Sequence, residues 1–325
     1  MRILLGFVFA ALLCSPAAAQ PEPATFATAV RDGSLDASTY NFADADFWAR
    51  TSTERTAWRE AAAAALITPE GLNTGCEVAD LRGISAFGWV RLAELAPNAN
   101  AWANAAEHLR HQLAALDALA ERRAAGRRDA GIRSSGAARY RDALEDTDDA
   151  SAREALRRAI RDQTWREQYA VAPTSLPPLA AAQWPTVIGG ALATLDCDNT
   201  NWLRTQLSEI NWFERTRYGP RADQAAWLIA QHADRSPDFQ RAVLTRLEGL
   251  PPGATNPANF AFLWDRVAVS EGQLQRYGTQ IHCRDGAPVA LNGVEDETGI
   301  DERRAAVGLG SWDSYWTQMR GSLRC

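Results

Sequence analysis

The chain contains no lysine: all 34 of its basic residues are arginine. That absence excludes Schiff-base catalysis, a Walker-type phosphate loop and a serine/lysine dyad, each of which needs a primary amine. Long hydrophobic runs are scarce too. Beyond the first residues nothing approaches eighteen uninterrupted apolar positions, so no later segment is expected to cross a bilayer. There is no CxxC spacing, which argues against a zinc ribbon or a thioredoxin-like redox pair. No GxSxG elbow occurs, and Cys283 beside His282 would point away from it on a strand, so serine or cysteine nucleophiles are unsupported. Histidine is limited to four positions. Of these, His108 and His111 share a helical face, but no third ligand is nearby, and neither a metal nor any other cofactor is expected.

What is present begins with a leader. Arg2 precedes an apolar run from Ile3 to Leu13 and then Ala17-Ala18-Ala19, the pattern of a secretory signal peptide over residues 1–19. Cys14 is a poor lipid-attachment site, since Ala11-Leu12-Leu13 lacks the small residue expected before it. Cleavage after Ala19 removes one arginine and no acid and takes the formal charge from −6 to −7. A mildly acidic surface has no general attraction for nucleic acid or anionic lipid, and neither is expected as a partner. The expected location is secreted or periplasmic. Four cysteines then remain, Cys76, Cys197, Cys283 and Cys325, an even number that suits two disulfides in an oxidising compartment. Of three connectivities, Cys76–Cys197 with Cys283–Cys325 is the one expected.

Alanine, leucine, arginine and glutamate dominate, with apolar residues at three- and four-residue spacing, which predicts a mainly α fold. Helices are expected over Phe47–Ala65, Val78–Leu95, Ala99–Ala124, Ser151–Tyr169, Ala180–Leu195 and Asn199–Phe213. The arginine-rich stretch between Glu121 and Arg141 is answered by the acidic run Glu145 to Asp149 and reads as a solvated connection. APTSLPP, from Ala172 to Pro178, breaks helix and separates a helical N-terminal region (20–172) from a C-terminal module (179–325). In that module Pro220, Pro237 and Pro257 each open a helix, with Ser236 and Asn256 as caps. Gln275–Cys283 and Pro288–Val294 flank Asp285-Gly286, predicting a small β-hairpin or two extended arms, and two short helices near Asp301–Val307 and Ser311–Met319 finish the chain.

QRYGTQIHC, Gln275 to Cys283, is unusually rich in hydrogen-bonding side chains for a short extended segment. On a strand Gln275, Tyr277 and Thr279 share one side, and Gly278 leaves room for another backbone or a ligand. WLIAQHADRSPDFQ (Trp227–Gln240), FLWDRV (Phe262–Val267), GQLQRYGTQ (Gly272–Gln280) and IDERRAAVGL (Ile300–Leu309) follow in order, and from about Asn199 onward the chain resembles a bacterial family catalogued as a domain of unknown function. That resemblance brings no activity. Its polar positions nominate a pocket: His232 as general acid/base, Asp265 or Asp234 to orient it and Tyr277 as a proton donor. Gln231, Asp234, Arg266, Gln275, Thr279, Gln280, Arg303 and Arg304 are the candidate ligand-binding residues, the arginines offering forked donors to a small anionic or peptide-like ligand. The same groups also suit two other readings, a hydrolase-type active site and an interaction scaffold whose polar network serves only the fold.

Overall fold

A computed structural model describes residues 22–323 apart from 41, 43–44, 68–74, 128, 130, 132–135 and 170. The predicted leader and Cys325 therefore lie outside the described residues. Fourteen helices and one two-stranded sheet are present among those described, as the composition predicts. The first five helices are α1 (Pro23–Asp32), α2 (Ala45–Ala49), α3 (Ser52–Leu66), α4 (Val78–Leu95) and α5 (Ala99–Ala124). They are followed by α6 (Ala138–Glu145), α7 (Ala150–Tyr169) and α8 (Pro178–Glu209). Next come α9 (Arg215–Tyr218), α10 (Pro220–Gln231), α11 (Pro237–Glu248) and α12 (Pro257–Ser270). The hairpin β1 (Ile281–Arg284) and β2 (Ala287–Ala290), then α13 (Ile300–Ala306) and α14 (Trp312–Leu323), complete the order. No helix of the described residues is long and apolar enough to cross a membrane.

Caps and periodicity explain most boundaries. Thr51 and Glu54 form a reciprocal capping box that starts α3, which splits the single helix expected over Phe47–Ala65. The Asn98 side chain accepts the Ala101 N–H at 2.9 Å to open α5, whose buried Trp102, Ala105, Ala106, Leu109, Leu116 and Ala120 recur at three- and four-residue steps. The two helices expected over Ala180–Leu195 and Asn199–Phe213 are one, because Asp196–Asn199 continues the helix and Leu203 and Leu207 prolong the buried stripe. Two buried clusters result. One gathers Phe26, Phe42, Trp58, Trp89, Trp102, Trp184 and Ile188 from α1 to α5 and the first half of α8. The other gathers Tyr140, Leu156, Ile160, Leu203, Phe213, Ile229 and Leu263 from α6, α7, the second half of α8 and the connection after it, and α10 to α12. Helix α8 thus runs through both, and Pro178 opens it.

The Cys76–Cys197 disulfide is present. Cys283 is disulfide-bonded as well. In the hairpin Ile281 pairs with Ala290 and Arg284 with Ala287, around Asp285 and Gly286, both at positive φ (52° and 76°) as the Asp-Gly turn predicts. Gln275–Thr279, however, is not strand. It is a loop, joined to Val294 by one isolated bridge at Gln275.

Candidate functional site

The polar row of QRYGTQ closes around a carboxylate. Asp265 lies on the buried face of α12 with Leu263, Val267 and Ala268, and no solvent reaches it. Its Oδ1 accepts the backbone N–H of Arg276 (2.8 Å) and of Tyr277 (3.0 Å), and its Oδ2 that of Thr279 (2.8 Å). Burial pushes the Asp265 carboxyl above its usual range, and those three donors pull against it. Gly278 turns the loop at φ 64°, where a Cβ would meet Trp312 Nε1 at 2.6 Å and Ile300 Cδ1 at 3.0 Å. Gln275 stitches the loop shut: Nε2 donates to Gln280 O (2.8 Å) and Leu291 O (2.7 Å), and Oε1 accepts the Gln280 N–H at 2.8 Å. Arg304 donates to Tyr277 O (2.6 Å) and Gly310 O (2.7 Å), Tyr315 donates its hydroxyl to Thr279 O (2.8 Å), and Arg303 donates to Arg276 O (2.8 Å). Tyr277 itself packs edge-on against Trp264.

His232 is held elsewhere. Helix α10 ends at Gln231, and His232, at φ −90° and ψ 4°, begins the turn that follows. That early stop lets His232 and Asp234 face different partners. Asp234 turns to α12, where Arg266 grips it with Nε and Nη2 (2.7 and 2.6 Å) and reaches Gln280 Oε1 with Nη1 at 2.9 Å. Gln240 of α11 fastens the same turn by donating to Ala230 O, Gln231 O and Asp234 Oδ1 at 3.1–3.2 Å. His232 turns to α7 instead, with Nδ1 2.8 Å from Asp162 Oδ1. Asp265 and Tyr277, the partners expected for it, are joined to each other instead, the Asp265 carboxylate of α12 accepting the N–H groups of the loop that carries Tyr277.

Around His232 stand three groups that the sequence reading did not nominate: Asp162 and Arg166 on α7 and Asp196 on α8. The Arg166 guanidinium lies between the carboxylates, with Nε 3.0 Å from Asp162 Oδ1 and Nη2 2.5 Å from Asp196 Oδ1. Arg166 Nε also comes within 3.0 Å of His232 Nδ1. Both nitrogens cannot donate to each other, and Asp162 has only acceptors. The proton facing Asp162 therefore sits on Nδ1, the two donors share Oδ1, and Nε2 is the ring nitrogen not turned to Asp162. Burial alone would raise Asp162, yet His232, Arg166 and Gln163 outweigh it and hold the carboxyl down to about 2. Asp196 goes the other way: burial, helped by the Asp162 charge, pushes it up to about 6 against the pull of Arg166 and His232. Two acids of one cluster are thereby separated in proton affinity. The Asp162 side chain is 2% exposed, whereas His232 and Arg166 are 19% and 31% exposed, so the cluster has a buried floor and an open edge.

Asp162, Asp196 and His232 bring their donor atoms within 4.8 Å of one another and are the residues here able to hold a divalent ion. Arg166 already supplies a cation between the two carboxylates, so an ion would have to displace it. A sequence signal for the cluster existed. Asp162 continues the buried stripe of Ala152, Ala155 and Ala159, and an acid on a core face must be paired there, with Arg166 four residues on as the first candidate.

The architecture defines a class first: a mostly helical module whose turn after α10 brings a histidine against two acids and an arginine from α7 and α8. A family of unknown function (DUF6624) matches residues 150–322, more than half the chain. The chain belongs to that family, and the match takes in α7 as well as the segment from Asn199 onward. No curated protein and no solved structure matches the chain.

Proposed function

We propose that the family module carries an acid/base site of hydrolase type, in which His232 Nε2 exchanges a proton with a bound ligand while Asp162 fixes the ring. The observation that carries this reading is the 2.8 Å contact of His232 Nδ1 with a buried carboxylate at an edge open to solvent. A base oriented by a second group and reachable from outside is the arrangement such chemistry needs. Asp196, held near 6, is the second group able to carry a proton. Binding of a small anionic or peptide-like ligand without chemistry has less support, because Arg266, Arg303 and Arg304 are already engaged by Asp234, Asp296 and backbone carbonyls. A scaffold role suits the QRYGTQ loop, whose polar groups close on one another around Asp265. Part of this reading is an exported location, supported by the Cys76–Cys197 bridge.

The test is a panel of chromogenic carboxylic esters, anilides and phosphomonoesters assayed between pH 5 and 8. His232→Gln is expected to lower turnover by about 10²–10⁴-fold with little change in melting temperature, and Asp162→Asn to lower it as well by releasing the ring. Turnover that His232→Gln leaves unchanged would remove the reading.

A further inference from the structure

The Cys76–Cys197 bridge joins a segment outside the family match to the helix that carries Asp196, and its surroundings reach the His232 turn. Cys197 is the residue after Asp196 and is fully buried. On the other side of the bridge, Gly75 and Arg235 exchange two hydrogen bonds. The Gly75 N–H donates to Arg235 O at 2.7 Å, and Arg235 Nε donates to Gly75 O at 2.9 Å. Ser236 occupies the N-cap position of α11 but makes no capping bond, and its buried hydroxyl lies 3.9 Å from Cys76 Sγ. Arg235 is three residues after His232, inside the turn tied by Ser236 N–H to Ala233 O at 2.8 Å. One face of that turn is therefore held by Arg266 and Gln240 of the module, and the other by Gly75 and Cys76 from the N-terminal region.

We infer that Gly75, Cys76, Cys197 and Arg235 form a thiol-sensitive brace that positions His232 against Asp162, so that the site depends on the redox state of a bridge anchored outside the family module. Reduction by a dithiol transfers two electrons and two protons to the bridge: the S–S bond breaks, Cys76 and Cys197 become thiols, and the dithiol closes to its own disulfide. The Gly75–Arg235 pairing is then held only by its hydrogen bonds, and the turn gains freedom on that face. Cys76, Cys197 and Arg235 act through His232 and are positioning residues. The inference rests on His232 being the site's proton-handling group, but its readout needs no substrate and so fails or stands apart from the hydrolase reading.

The experiment follows the ¹⁵N spectra of the imidazoles in the full-length mature protein, with His232 assigned by loss of its signals in His232→Gln. In the oxidised protein His232 is expected as a single tautomer with the proton on Nδ1. After treatment with dithiothreitol, and in Cys76→Ser/Cys197→Ser, its signals are expected to move toward an average of the two tautomers, and reoxidation of the wild type should restore them. Arg235→Gln keeps the bridge and removes one arm of the brace, and a smaller change in the same direction is expected there. If reduction unfolds the chain, Arg235→Gln alone decides. A His232 spectrum that stays the same in the folded reduced protein, or in Arg235→Gln where reduction unfolds the chain, overturns the inference.

Discussion

Asp265 and His232 are both polar residues within the span matched by the family, yet their surroundings assign them opposite roles. Asp265 has no exposure and accepts three backbone N–H groups. Asparagine there would present an amide donor to at least one of those N–H groups, so Asp265→Asn is expected to cost about 2–3 kcal/mol, read as a lower denaturant midpoint. His232→Gln should stay much closer to wild type in the same measurement, since the imidazole borders solvent. The acid pair also sets a pH dependence. Asp162, held down to about 2, adds stability above the unfolded-state value near 3.8, and that contribution is lost as pH falls through about 2. Asp196, raised to about 6, has the reverse sign: stability is full below 3.8 and is lost as pH rises through 6. Each shift corresponds to roughly 2–3 kcal/mol. Asp196→Asn is therefore expected to flatten the decline in stability between pH 4 and 7, and unfolding curves at stepped pH would show it. A slope unchanged in that variant would place the decline in other groups.

Among the elements, α4 and α8 approach closely, and glycine makes it possible. A Cβ at Gly190 would meet Ser85 Cα at 2.8 Å, and one at Gly88 would meet Val187 Cγ2 at 2.8 Å, so the helices cross almost backbone to backbone. The Ser85 hydroxyl donates to Gly190 O at 3.3 Å across the same crossing. Gly190→Ala leaves helix propensity improved but forces the helices apart, and a net loss of about 1–3 kcal/mol is expected. A thermal melt at or above wild type would show that the crossing can open without cost. Helix α10 illustrates a different dependence on a boundary. Had it continued past Gln231, His232 and Asp234 would face other directions, and neither α7 nor α12 would gain its contact with the turn.

For the whole molecule, α8 is the shared member, with Trp184 and Ile188 in one core and Leu203 and Leu207 in the other. A fragment beginning at Leu179 lacks α7, and with it Ala155, Leu156, Ala159 and Ile160 of the second core as well as Asp162 and Arg166. One beginning at Ala150 retains them. With Cys197 replaced by serine in both, the longer fragment is expected to melt cooperatively and the shorter one to show no cooperative transition by circular dichroism. Loss of the transition in both would mean that the first half of α8 needs α4 and α1 around it.

Much of this protein was determined locally and could be read in the sequence. Val78–Leu95 and Ala99–Ala124 were expected as helices with the boundaries they have, because apolar spacing and capping residues act within a few positions. The Asp-Gly hairpin was legible too, from turn chemistry, and the even cysteine count pointed to disulfides while leaving three connectivities, of which the expected one contains the observed Cys76–Cys197 pair. His232 was nominated by its titration range and motif. Its partners were not, since Asp162 and Asp196 lie 70 and 36 positions earlier in the chain, and although Asp162 falls on a buried stripe, nothing local says which group it meets until α7 and α8 are packed side by side. The same distance hid the role of Asp265, whose three hydrogen bonds go to backbone groups of a loop that carries no side-chain signal for them. Periodicity reports which face of an element is buried, but it carries no information about which two faces meet. Here only the packing of α7, α8 and the turn after α10 decided that a histidine, two acids and an arginine form one cluster.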